Sequence, residues 1–435
     1  MVNRLVLSSY FVLFAVFLPV MVFAQLTAPP AAATPQQDTL HLTLDSAENI
    51  FLRQNLSLLA QRYNIDAQKA LVIQSKLYAN PNFNVEHGLY NTETHKVFPF
   101  GSQGETSAGL SQLVMLAGKR NKQIKIARAN VKLSEFEFYD LLRTLKFTLR
   151  DDFYNIYYLQ QSAKAYDEEI NSLQKVVDAF VEQKGKGYIS QKEVVRIQAQ
   201  LYSLKSEYRD LLEQIADQQS EMRLVLQVKP VYVDPLVDTT SLVALNPRQY
   251  PLPVLLDSAY SRRSDLLIAR ANTEISKLNY SYQKALGVPD VTFNLAYDQQ
   301  GSYIKNYTAA GVAIDLPVFN RNQGNIKSAK AMIDVNTATQ KSTEATVEEQ
   351  VYRVVEKATA ADKLYRNIDA SFASDFQRLM HEVLINYQKR NISMLDFLDF
   401  YDSYKQHVLQ LNSIQYNRVR AFEELNFVTG TNFFN

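Results

Sequence analysis

Five histidines are scattered along the chain, and only His87 and His95 come close to each other, with Glu86 and Glu93 beside them. Their spacing fits no compact zinc pattern, so they read as strand and loop histidines, and no metal site is expected. The acidic pairs Glu168-Glu169 and Glu348-Glu349 sit inside long polar stretches, where solvation explains them better than acid-base work. There is no phosphate-cradling glycine loop and no serine nucleophile elbow. Met115, Met332, Met380 and Met394 are too dispersed for a methionine ladder and read as core or helix contacts. The residues therefore supply no argument for an enzyme and call for no cofactor. One carboxylate pair stands apart: Asp396 and Asp399 are three positions apart and can share a helix face.

The elements that must position these residues occur twice. Leu44-Asp45-Ser46-Ala47 is matched by Leu256-Asp257-Ser258-Ala259, and Pro81 with Phe83 and Val85 by Pro289 with Val291 and Phe293. Further on, Gln123 to Ala127 is echoed by Asn325 to Ala329, and Tyr188-Ile189-Ser190 by Asn391-Ile392-Ser393. The offset stays near about 200 to 210 residues, so one long unit is duplicated. Each unit reads helix, strand, strand, helix, helix. The first helix is expected over 44–78, ended by Asn80-Pro81. Two strand candidates follow, with Phe83, Val85 and His87 opposed to Asn82, Asn84 and Glu86, then Thr106, Ala108 and Leu110 opposed to Ser107, Gly109 and Ser111. The second unit repeats the alternation around Val291, Phe293, Leu295 and Tyr297, then Thr308, Ala310, Val312 and Ile314.

Between 119 and 184 there is neither proline nor glycine. A single helix of that extent is roughly 100 Å long at about 1.5 Å per residue. A turn at Gly185 and Gly187 leads into a second helix over 190–227, and the second unit is expected to repeat this with helices over 323–389 and 393–427, turning at Asn391. Helices of that length suit coiled coils and helical tubes. Residues 228–253 hold five prolines and read as a linker that skirts the helices.

Residues 1–24 carry Arg4, an apolar stretch and small residues near Ala24, the pattern of a secretory signal peptide. Residues 25–43 read as an extended lead-in with no reason to pack. The chain has no cysteine, so an exported form has no disulfides and no lipid anchor through cysteine. A formal charge of +1 gives no reason to expect a nucleic-acid partner. Beyond the signal there is no apolar run long enough for a helical span, so membrane insertion would have to use the alternating strands. Four strands cannot close around a channel, and open edges are not tolerated in hydrocarbon, so spanning strands would require neighbouring subunits. Tyr90, Phe98, Phe100, Tyr297, Tyr303 and Tyr307 are candidates for an aromatic girdle.

A signal peptide, a duplicated unit of helix, strand pair and long hairpin, and a proline-rich middle together resemble the TolC outer-membrane efflux family. The run Asp315-Leu316-Pro317-Val318-Phe319-Asn320-Arg321-Asn322-Gln323-Gly324-Asn325, where strand passes into helix, is similar to the heavy-metal efflux branch. The resemblance implies a mixed α/β chain forming a trimeric outer-membrane β-barrel, four strands per subunit, continued by a long α-helical barrel into the periplasm. It implies outer-membrane lipid, a periplasmic membrane-fusion adaptor and an inner-membrane pump of the resistance-nodulation-division (RND) type as partners. It divides the chain into repeats at 44–227 and 254–428, separated by 228–253, with a tail at 429–435. It also assigns Asp396 and Asp399 to the constricted periplasmic mouth, and Tyr387, Lys389, Arg390 and Glu193 to possible tethers between helices. Passive conduction of substrates such as heavy-metal cations follows. A secretion conduit for peptides or proteins and a periplasmic coiled-coil scaffold are the alternatives. At the junction, Pro317 would stop the ladder and Gly324 would permit a close approach early in the helix.

Overall fold

The computed structural model describes residues 38–301, 303–368, 372–389 and 391–434. The expected signal peptide and residues 25–37 lie outside them. The first unit contains β1 (Thr39–Thr43), α1 (Leu44–Gln54), α2 (Leu56–Ser75), β2 (Asn82–His87), the short β3 (Tyr90–Asn91) and β4 (Lys96–Val97), β5 (Thr106–Val114), α3 (Lys119–Gly185) and α4 (Gln191–Leu226). After β6 (Tyr232–Leu236) and α5 (Thr239–Val243), the second unit runs through α6 (Leu252–Arg262), α7 (Ser264–Leu286), β7 (Val291–Asp298), β8 (Tyr307–Ile314), α8 (Gln323–Arg366), α9 (Phe372–Gln388) and α10 (Met394–Thr429).

The duplication extends to a detail that periodicity hides. The helix expected over 44–78 is two helices, broken at Asn55 (φ −64°, ψ 114°), and the second unit breaks at Arg263 with nearly the same angles (φ −66°, ψ 121°). Asn55 is buried and makes the break favourable: its side chain accepts from Leu58 N at 3.0 Å and donates to Val225 O at 2.9 Å. A side chain that caps the second helix replaces the backbone bonds lost at the break.

The long helix α3 forms as expected, 67 residues uninterrupted by glycine or proline until Gly185. Its counterpart does not. Among the described residues α8 ends at Arg366, where Asn367 N–H is shared between Lys363 O and Leu364 O, and α9 begins at Phe372. Asn367 stands at this end, a residue type whose side chain competes with the helical backbone.

Two further expectations are corrected. Residues 228–253 do not merely skirt the helices, and 39–43 do not remain an unpaired lead-in. Strand β1 pairs in parallel with β6, Leu42 and Val233 are buried, and Pro235 sits opposite Leu42 on this two-stranded ribbon, where every strand is an edge. The tail is also built in: Asn426 Oδ1 accepts from Phe433 N and Phe434 N at 2.9 and 3.0 Å, and Phe434 is buried against Phe422.

Two apolar cores result. One gathers Phe51, Leu149, Phe153, Met222, Val233, Leu255, Val351 and Phe422 around the ribbon. The other lies along the hairpins, with Leu173, Ile197, Leu204, Tyr387, Phe397 and Tyr401. Buried cations bind the first core together. Arg150 bridges Glu48 at 2.7 Å and both Glu423 carboxylate oxygens at 2.8 Å. Arg418, fully enclosed, donates to Asp362 and to the carbonyls of Leu242 and Leu245 in the middle segment, and lies over the Tyr365 and Phe422 rings.

Candidate functional site

The register of the four-stranded sheet turns a faint alternation into two distinct surfaces. Its order is β2-β5-β7-β8, every pair antiparallel. Residues directly opposite one another point to the same side. Phe83, Leu110, Leu295 and Ala310 therefore form one cross-strand row, and Gln112, Phe293 and Val312 another. Val85, Val114, Val291, Tyr297 and Ile314 share this largely apolar face. The opposite face carries Asn84, Gly109, Ala296 and Ala309 in one row, and Glu86, Ser107, Asp298 and Tyr307 in the next. Phe83, Phe293, Leu295 and Val312 are all exposed in the single chain. Such a set of apolar groups left in water marks a surface meant for something else. A Cβ on Gly109 would lie 2.3 Å from Asn84 Oδ1, so the Asn84 side chain would have to turn aside on the polar face.

At the outer end of the sheet, His87 stacks on Phe100 with ring centroids 4.9 Å apart and bonds Thr106 Oγ1, while His95 bonds Tyr90. Tyr297 donates to Asn306, and Tyr303 packs edge-on to Tyr307. Among the described residues no group of three or more histidine, cysteine, aspartate or glutamate residues is arranged to hold a metal ion.

At the inner end, two matching junctions convert strand into long helix. Gly118 (φ +67°) precedes α3 and Asn322 (φ +60°) precedes α8, both in the left-handed region. Asparagine tolerates that conformation better than most residues, and here its amide also donates to Gln283 O and Oε1 at 2.8 and 2.9 Å. Asn320 Oδ1 accepts from Asn322 N, and Gln323 Oε1 accepts from Arg321 N. Pro317 lies beyond the last paired residue, Ile314. The close approach expected at Gly324 belongs elsewhere: a Cβ on Gly324 meets nothing within 4 Å, whereas one on Gly287 would lie 2.8 Å from Arg321 O. It is the end of α7 that touches the junction. Lys119, buried, closes the other junction by bonding Asp290 Oδ1 and Val288 O, each at 2.7 Å.

The far ends of the helices bring the two hairpin tips together. Gly187 (φ +79°) makes the first turn after Gly185 ends α3. Asn391 makes the second, its N–H donating to Asn386 O and its side chain to Asn386 Oδ1. Both following helices start with the same device. Ser190 Oγ accepts from Glu193 N while Glu193 Oε2 accepts from Ser190 N at 2.9 Å, and Ser393 with Asp396 repeats the arrangement. Asp396 and Glu193 are thus reciprocal caps. The signal was present in Ser-x-x-Glu and Ser-x-x-Asp ahead of apolar residues, and a search for charge alone passes over it. Asp396 and Asp399 are both exposed.

Tyr387 points inward. Its ring stacks on Phe397 with centroids 4.2 Å apart, and its hydroxyl is buried with no hydrogen-bond partner among the described residues. Burial, and then the charge of Glu193, pushes the phenol above its usual range. It borders a cavity of about 500 Å³ between the tips, shared with Phe180, Tyr188, Glu193 and Met394. Lys389 is exposed, and Arg390 lies outside the described residues.

Deeper in the hairpins one expectation is corrected: of the pair Glu168-Glu169, expected to be solvated, Glu168 is exposed but Glu169 is enclosed by the packing of α10 against α3. Glu169 is only 4% exposed, and among the described residues neither carboxylate oxygen has a hydrogen-bond partner. The Tyr401 hydroxyl donates to its backbone carbonyl. Lys405, whose charge acts on it, is already committed to Glu207 at 2.9 Å and Asp402 at 2.8 Å. Burial, reinforced by the charges of Asp402, Glu207 and Glu168 against the pull of Lys405, pushes the Glu169 carboxyl up to about 8.

The family model described as Outer membrane efflux protein matches residues 49–226. The cobalt-zinc-cadmium resistance protein CzcC of Cupriavidus metallidurans is 22% identical over 306 residues, 69% of this chain and 69% of that protein. The outer membrane channel CmeC of Campylobacter jejuni superposes with a TM-score of 0.74 at 14% identity, covering 90% of this chain and 86% of that one. The outer membrane protein VceC of Vibrio cholerae gives 0.69 at 16% identity over 90% and 96% of the respective chains. The chain has their fold.

Proposed function

Belonging to the TolC family of outer-membrane efflux proteins, this chain, we propose, is the outer-membrane channel of a tripartite efflux system, conducting passively and catalysing nothing. The single observation that carries this reading is a four-stranded antiparallel sheet, apolar on one face and polar on the other, with both edges open. In hydrocarbon an open edge leaves backbone groups with no water to bond. Because the four strands alternate in direction, the outer edge of β8 runs antiparallel to that of β2. A neighbouring copy can therefore continue the ladder without reversing it, and a rotation that closes makes a ring. Two copies would give a barrel of about eight strands, whose interior side chains nearly fill it. Three copies give twelve and leave room for water.

In such a trimer the apolar face meets lipid and the row of Asn84, Gly109, Ala296 and Ala309 lines the lumen. The long hairpins continue the conduit into the periplasm, where the tips meet an adaptor and, through it, an RND pump. Asp396 and Asp399 would each become a three-membered ring at the constricted mouth, attractive to cations. Lys389, Arg390 and Glu193 are suited to tethering neighbouring helices in a closed state, while Tyr387 holds the tip from within. We assign heavy-metal cations as the cargo, supported by the cobalt-zinc-cadmium resistance named for CzcC and by these acidic rings.

Native mass spectrometry of the detergent-extracted protein should give a trimer that conducts ions in a planar bilayer. A soluble monomer without conductance would overturn the channel reading. A deletion strain whose tolerance of cobalt, zinc and cadmium is unchanged would overturn the cargo.

A further inference from the structure

Both ends of the sheet are rimmed by aromatic groups, but their charges differ. The outer end carries Glu86, Glu93, Glu105 and Asp298 with Lys96 and Lys305. At the inner end four chain segments meet: the end of α2, the start of α3, the end of α7 and the loop into α8. Their adjacency is fixed by Arg120 donating to Lys76 O, Lys119 to Val288 O, and Asn322 to Gln283 O. They bring together Lys76, Arg120, Lys122, Lys284 and Arg321, none of which has an ion-pair partner among the described residues. Asp290 is already engaged by Lys119, which leaves the carboxylate of Asp315 alone against five cations.

Large apolar groups are interleaved with these charges. Phe319 is 93% exposed, Leu316 75% and Tyr78 73%. The Arg120 guanidinium lies 3.7 Å from the Tyr78 ring centroid, and Lys284 Nζ lies 4.9 Å from that of Tyr280. Aromatic bodies under cationic heads suit the boundary between hydrocarbon and headgroups, where the ring is buried and the charge meets phosphate.

We propose that this junction is a binding surface for anionic phospholipid headgroups of the periplasmic leaflet, with Lys76, Arg120, Lys122, Lys284 and Arg321 holding phosphate and Tyr78, Leu316 and Phe319 entering the acyl boundary. The inference rests on the membrane reading above and goes beyond it by making the inner rim selective for charge. The surface fixes the depth of the sheet in the bilayer and clamps the origin of both long helices to the membrane.

The chain contains no tryptophan, so Phe319→Trp supplies a single fluorescent reporter at the rim. The full-length protein is inserted into phosphatidylcholine vesicles containing either brominated phosphatidylglycerol or brominated phosphatidylcholine at equal mole fraction. Quenching should favour phosphatidylglycerol, on the order of fivefold in relative affinity for each cation engaged. The preference should fall toward unity in the exposed-residue variant Lys76→Gln, Lys284→Gln, Arg321→Gln, and in high salt. Equal quenching by the two lipids in the reporter protein would overturn the inference while leaving the membrane reading intact. No quenching by either lipid would overturn both.

Discussion

Replacing Glu169 with glutamine tests the electrostatics of the hairpins. The carboxyl sits at about 8 in the closed hairpin against an ordinary value of 4.5, because a nearly enclosed carboxylate with no hydrogen-bond donor among the described residues disfavours its charged form. Opening α10 away from α3 returns it to water. Between those two values the closed state holds a proton that the open state has lost, so closure weakens as pH rises. Its full strength is present below about 4.5, declines tenfold in the closing equilibrium per pH unit, and is lost by about 8. The whole interval amounts to about 5 kcal/mol. Glutamine is neutral throughout and removes this dependence. Hydrogen exchange of α10 amides, corrected for intrinsic exchange, should show protection falling from pH 5 to 8 in the wild type and level in Glu169→Gln. Identical pH profiles in the two proteins would refute the assignment, as would protection that rises with pH in the wild type.

Five further substitutions separate the remaining roles. Asp399→Asn should reduce cation preference, read as a reversal potential in bilayers, with thermal stability unchanged, whereas Asp396→Ala should also cost roughly 0.3 to 1 kcal/mol in a melt because it removes the first-turn carboxylate of the capping box at Ser393. Arg418→Met should destabilise the chain by about 1 to 3 kcal/mol, since Asp362 would keep only the half-exposed Arg366 and the carbonyls of Leu242 and Leu245 would each lose a buried donor; a calorimetric midpoint unmoved from the wild type would contradict this. Gly109→Val places atoms where Asn84 already lies and should reduce trimer yield on a semi-native gel, while Gly311→Val on the same face meets nothing within 4 Å and should assemble normally.

How much of the fold is legible in the sequence follows how far apart in the chain the deciding contacts lie. Helix α3 was legible because nothing between 119 and 184 breaks a helix, and the strands were legible because period-two alternation survives in four separate segments. The capping boxes at Ser190 and Ser393 were equally local and were readable, but Asp396 and Glu193 attracted attention only as charges. The break at Asn55 was not readable, because the partner that makes it favourable, the Val225 carbonyl, is 170 positions away. The same distance hid β1 and β6: five residues of Thr39–Thr43 have no reason to be a strand until Tyr232–Leu236 arrives beside them.

What the sequence determined by itself was therefore the periodic part: a duplicated unit, the long helices α3, α4 and α10, and strands with one apolar side. Tertiary structure alone decided which strands are neighbours, and so that Phe83, Leu110 and Leu295 form one continuous wall although they are distributed over both repeats. It alone decided that Tyr387 turns inward and that Glu169, one of two adjacent glutamates in a polar stretch, is the buried one. Periodicity is a property of consecutive residues, whereas burial and charge environment are set by whichever distant segment packs against them, and the chain does not write that partner beside the residue it enclosed.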